Sequence, residues 1–201
     1  MKNSKTKQLS LDTLVKSAIL GALAFIIMFI ESPIPIFPEF LKFDFSEIPV
    51  LLAGFSIGPI GAILVELVKN ILHLFITKTS GVGEMANFFV GIFFTVPAAM
   101  IYKRNKTKKG AIISLIVGSL SMVIFASLYN YFVLIPLYIK ILGIPLNTIV
   151  EMGASANKYI TDLKSLIIFG VAPFNALKAF VISFITVLIY KKVSPILHKK
   201  F

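Results

Sequence analysis

Cysteine is absent from the 201 residues, which excludes disulfides, thiolate nucleophiles and cysteine-based metal sites. Charge is scarce as well. Only 14% of residues are charged and 57% are hydrophobic, where a soluble domain carries about a quarter charged. The mean hydropathy is +0.92, so the bilayer is the expected solvent. Acids are the rarer sign, with 9 Asp and Glu against 20 Lys and Arg and a formal net charge of +11. Such a surplus can serve nucleic acid. Here the lysines cluster beside apolar runs, as anchors on a membrane surface do, which argues against a nucleic-acid partner and for membrane lipid.

Enzyme signatures are missing too. No glycine-rich Walker loop ending in Gly-Lys-Ser or Gly-Lys-Thr occurs, so the chain does not hydrolyse ATP through such a site. Gly81-Val82-Gly83 is too short a pattern to mean nucleotide. His73 and His198 are far apart and neither lies in H-E-x-x-H. The acids show no paired metal-ligand spacing. No catalytic residue, metal or cofactor is expected. Neither a fixed-period repeat nor a soluble appendage is present, so residues 1–201 read as a single membrane domain.

Six apolar segments emerge, at roughly 14–30, 44–58, 59–77, 83–102, 110–138 and 165–190, each near the ~20 residues that cross ~30 Å of hydrocarbon. The second is short, hence tilted, broken or partly within the headgroups. The fifth contains Pro136 near its end, where a kink or stop is expected. Lys2, Lys5 and Lys7 precede the first run like the start of a signal peptide. That run is longer than a typical signal core and ends in Glu31-Ser32-Pro33-Ile34-Pro35 rather than at a small-x-small site, so a retained span is expected. The fold class expected is all-α, an integral membrane protein with six transmembrane helices. Most basic residues fall at Lys2–Lys16, Lys103–Lys109 and Lys191–Lys200, on one side of that arrangement. The positive-inside rule then puts both termini in the cytoplasm.

On the outer side, residues 31–41 carry three prolines, which stiffen the backbone and exclude helix or central strand. Such a loop is either a lid or a stiff connector. The outer loop 139–164 is long, and long loops are functional or disordered. The stretch Lys42-Phe43-Asp44-Phe45-Ser46-Glu47-Ile48-Pro49 places two acids and a serine at the mouth of an apolar run, and Gly58-Pro59 turns the chain into the next.

Polar side chains within spans are costly and face a partner or a cavity. At 1.5 Å per residue, Asn130 lies about 12 Å below the outer end of its span, Asn175 about 15 Å and Lys178 about 20 Å. Asn175 and Lys178 are i and i+3 and share a face. Lys69 and Glu66 fall about 12 and 16 Å below the outer end of the third span. Glu84 and Asn87, also i and i+3, open the fourth. Five stretches thus send polar groups into the same outer half, the expected form of a small-molecule pocket. Alternatives stand beside this. Glu66 and Lys69 suit an intrahelical ion pair whose face His73 extends, Asn130 suits interhelical glue, and Glu84 suits a helix cap. Lys178 is an ammonium that needs a partner or a ligand at that depth.

The size, the six spans, the proline-rich first outer loop and three motifs resemble the substrate-binding S components of energy-coupling factor (ECF) vitamin transporters, most closely the riboflavin-specific kind. The motifs are residues 37–49, Gly81–Phe88 and Pro173–Lys178. The resemblance implies riboflavin capture from outside, with Asn130, Asn175 and Lys178 as ligand contacts. Asn offers both a donor and an acceptor to the flavin's pyrimidine edge. It further implies Leu41 and neighbouring aromatics such as Phe43 over the dimethylbenzene end, and Glu84 and Asn87 near the ribityl chain. A small-x-x-x-small motif, Ala18 to Ala22 extended by Ser17 and Gly21, would dock the membrane partner, the T component, and two cytosolic ATPases would supply energy. An S component for another vitamin, a gradient-driven permease with an ion site at Glu66, and a lipid enzyme are the alternatives.

Overall fold

The apolar runs become helices. The computed structural model describes residues 9–197; Lys2, Lys5, Lys7, His198, Lys199 and Lys200 lie outside the described residues. Helix α1 (Leu11–Met28) opens on Ser10, whose hydroxyl accepts the Thr13 N–H, the usual N-terminal cap. The first connector then forms a two-residue antiparallel pairing, β1 (Ser32–Pro33) with β2 (Lys42–Phe43). The prolines exclude a central strand, and a bare edge tolerates Pro33 because no inner ladder needs its N–H. Glu31 and Lys42 tie the two sides together at 2.7 Å.

Helix α2 (Glu47–Ser56) has 10 residues, buried from Glu47 to Phe55. It spans about 15 Å, half of a hydrocarbon core. Gly58 then adopts φ 105°, which only glycine takes without strain, and Pro59 starts α3 (Pro59–His73). A tight turn, Leu74–Ile76, prolongs α3. Helix α4 covers Val82–Arg104 and α5 Lys108–Tyr129. The chain continues through a wide π-type turn, Asn130–Leu134, into α6 (Ile135–Leu142). Helix α7 (Leu146–Ala156) follows, then the single turn α8 (Leu163–Leu166), a second π-type turn at Ile167–Val171, and α9 (Ala172–Leu197).

Among the described residues five helical stretches are long and apolar enough to cross a membrane: Leu11–Met28, Pro59–Ile76, Val82–Arg104, Lys108–Leu142 and Leu163–Tyr190. The stretch expected as the second span is the shorter α2. The connector expected at 139–164 is neither plain loop nor disordered, because α7 fills it and buries Ile149 and Gly153.

The residue just after each π-type turn is followed by proline, Ile135-Pro136 and Ala172-Pro173. In each, the N–H before the proline reaches back five residues, from Ile135 to Asn130 and from Ala172 to Ile167. Proline cannot donate to the helix ladder. The wider register takes up that loss without breaking the helix and re-aims the side chains around it.

Helix α1 packs on α3, α4 on α5 and α3, and α2 sits among α1, α3, α4 and α9. A side chain at Gly21 would meet Val68 at 2.6 Å, so glycine sets the approach of α1 to α3. Ser17, Gly21 and Ala24 face inward, whereas Ala18 and Ala22, one position along, are exposed. The small-residue motif therefore splits into an internal packing face and an outward one. One apolar core lies beneath the connectors around Ile135, Ile149, Leu166 and Phe174. A second lies between α2, α4, α5 and α9 around Leu51, Phe94, Leu115 and Ile182.

Candidate functional site

Between the two cores an open cavity of about 570 Å³ is lined by residues of the first connector and of α1 to α6 and α9. The size suits a vitamin-sized organic molecule. Its walls are built in a few layers. The first connector contributes Leu41, Lys42 and Asp44, and α2 its first residue, Glu47. Helix α3 brings His73, α4 brings Glu84, Asn87 and Gly91, and the first π-type turn brings Asn130. Tyr138, Phe174, Asn175 and Lys178 close the far side.

Asn130 and Asn175 are held alike. Each amide nitrogen donates to the carbonyl four residues back, of Ala126 and of Val171, at 2.8 Å. Those bonds fix the amide planes and leave the side-chain oxygens as acceptors. The Asn130 oxygen has no partner among the described residues, nor does that of Asn87. Lys178, 5% exposed, places its ammonium 2.7 Å from Asp44 Oδ2, and Asp44 Oδ1 accepts the Ser46 N–H at 2.7 Å. At the rim, His73 Nδ1 donates to Glu84 Oε1 at 2.9 Å, and Glu84 Oε2 accepts from the Thr77 and Thr79 hydroxyls. The floor is a denser knot. Lys69 Nζ meets Glu47 Oε1 at 2.8 Å, Glu66 Oε2 at 2.9 Å and Ser46 Oγ at 3.2 Å. The site thus offers fixed acceptors, an ammonium and aromatic walls, and this is equipment for holding a polar heterocycle.

The family model for the ECF transporter, substrate-specific component, matches residues 12–190. The chain belongs to this family. The riboflavin transporter RibU of Staphylococcus aureus (strain TCH60) is 39% identical over 186 residues, 92% of each chain. The riboflavin transporter FmnP of Bacillus subtilis (strain 168) is 35% identical over 185 residues, 90% of this chain and 92% of that one. A solved structure described as "Structure and mechanism of the S component of a bacterial ECF transporter" superimposes with a TM-score of 0.74 at 37% identity. It covers 93% of this chain and 98% of that one. This S component is accordingly a transport protein and not an enzyme, and a multi-pass protein of the cell membrane.

Six residues singled out from the sequence, Leu41, Glu84, Asn87, Asn130, Asn175 and Lys178, line the one cavity. Phe43 does not. Successive side chains of an extended segment point to opposite sides, so Lys42 and Asp44 reach the cavity while the Phe43 ring packs edge-on against Phe45, 5.1 Å between centroids. The Glu66–Lys69 pair forms within α3 as its spacing suggests. Sequence reasoning missed Glu47 as a further partner of Lys69, and Asp44 as the partner of Lys178. A signal existed: α9 offers Lys178 no acid of its own.

Proposed function

We propose that this S component captures riboflavin from the outer side of the membrane for ATP-driven uptake. The observation that carries the reading is the convergence of Asn130, Asn175 and Lys178 on one vitamin-sized cavity, in a chain 39% identical to a protein named as a riboflavin transporter. The pyrimidine edge of a flavin alternates carbonyl acceptors with an N–H donor. The fixed amide oxygens meet the N–H, and the Lys178 ammonium donates to a carbonyl or a ribityl hydroxyl. Leu41, with Phe40 and Phe174 beside it on the cavity wall, covers the apolar dimethylbenzene end. Glu84 and Asn87 lie where the ribityl chain needs hydroxyl partners.

In this reading residues 1–201 form one membrane domain of six segments with α2 as the short one, and both termini are cytoplasmic. The exposed Ala18–Ala22 face of α1 docks the T component, since small residues allow close helix approach. Two cytosolic ATPases complete the transporter. The test is the visible absorption spectrum of protein purified in detergent, followed by flavin fluorescence titration. A yellow protein that quenches riboflavin stoichiometrically is the expected result. A colourless protein that leaves added flavin fluorescent overturns the substrate, and a panel of other vitamins follows.

A further inference from the structure

The knot in the cavity floor carries one more negative charge than positive, and ligand capture makes no use of it. Glu47, Glu66 and Lys69 are each at most 2% exposed. The Lys69 ammonium has three hydrogens, and Glu47, Glu66 and Ser46 take them all. Two carboxyl oxygens are left over. Glu47 Oε2 and Glu66 Oε1 are buried without a partner among the described residues, as is Asn70 Oδ1 beside them. Both carboxyl groups also crowd one spot: a side chain at Gly91 would clash with Glu66 Oε1 and stand 3.0 Å from Glu47 Oε1.

Among the described residues no neighbouring element supplies the missing positive charge. On α9, Lys178 is engaged by Asp44. On α3, His73 is engaged by Glu84 of α4. Helix α1 presents Leu20, Ala24 and Met28, and its Asp12 and Lys16 pair with each other. Among the described residues no group of three or more His, Asp or Glu side chains is placed to hold a metal ion. Water supplies donors but no charge. Two carboxylates in one dry site cannot both stay ionised when a single cation faces them.

We propose that Glu47 and Glu66 bind one proton between them, forming a proton site in the floor of the cavity. The proton makes one carboxyl group an acid whose O–H donates to the free oxygen of the other. The knot then carries no net charge, and the proton belongs to the pair rather than to either residue. Glu47 and Gly91 line the cavity, so the proton exchanges with solvent by that route. This site stands independently of which vitamin binds.

The test is infrared spectroscopy of the ligand-free protein in lipid at neutral pH, unlabelled and with ¹³C-glutamate. A protonated-carboxyl C=O band is expected that shifts in D₂O and again with ¹³C-glutamate. Glu47→Gln and Glu66→Gln are each expected to abolish it, since each leaves one carboxylate opposite Lys69. Absence of the band, its indifference to ¹³C-glutamate, or its survival in either variant overturns the proposal. If a variant does not fold, the labelled wild-type protein still decides. Flavin titration is a separate measurement, so failure of the ligand reading leaves this result untouched.

Discussion

Lys69 and Lys178 are the same side chain in the same interior, and the fold treats them in opposite ways. Lys69 is fully buried, and two acids and a hydroxyl take every hydrogen of its ammonium. Lys178 meets a single acid, Asp44, and lines the cavity. Two of its hydrogens have no partner among the described residues. A saturated ammonium ties elements together, here α2 to α3. An unsaturated one has donors to give away, and a site needs that. Burial alone does not separate the two; the count of partners does.

The largest effect should come from emptying the saturated centre. Lys69→Met strands the buried carboxyl groups of Glu47 and Glu66, and removing one member of a buried ion pair costs about 3–5 kcal/mol. Loss of folded protein in detergent, read by size-exclusion chromatography, is the expected outcome. Lys178→Met leaves Asp44 its Ser46 N–H and access to the cavity, so the fold should survive while flavin affinity falls at least about tenfold, roughly 1.4 kcal/mol. Equal destabilisation by the two substitutions would end the comparison.

Gly91→Ala tests the floor without removing a charge. The added methyl meets both carboxyl groups of the knot, and overpacking of this kind costs about 1–3 kcal/mol, visible as a lower melting temperature. Asn130→Ala and Asn175→Ala should each weaken flavin binding by about 1 kcal/mol, near fivefold, with little change in melting temperature. Smallest of all for the fold is Ala18→Trp with Ala22→Trp. These positions are exposed, so stability and flavin binding should move within about 0.5 kcal/mol. Co-purification with the T component should be lost. If binding fails while docking persists, the outward face has another role.

Much of the site was legible because helical spacing converts directly into depth and direction. Asn175 and Lys178 share a face at i and i+3, and their distance along the span places Asn175 near the depth of Asn130 and Lys178 about one turn deeper. What spacing could not give was pairing across the chain. Asp44 and Lys178 are 134 residues apart, and nothing local couples them. Phe43 turns away from the cavity for a different reason: in a two-residue strand the face each side chain takes depends on how the loop is tied down. The Ser17–Gly21 and Ala18–Ala22 pairs have identical spacing, and only the packing of α1 on α3 decides which is internal.

The solvent, the long apolar helices and the depth at which polar groups fall follow from the order of residues, because hydropathy and helical rise are local quantities. That order also marked the turn at Gly58 and the interruption near Pro136, where backbone chemistry admits few solutions. Tertiary structure alone decided which acid meets which lysine, and which of the two keeps hydrogens to spare. Those outcomes depend on α2 threading between α1, α3, α4 and α9. Buried charges choose partners by distance in space, and that distance is set only once the helices have packed.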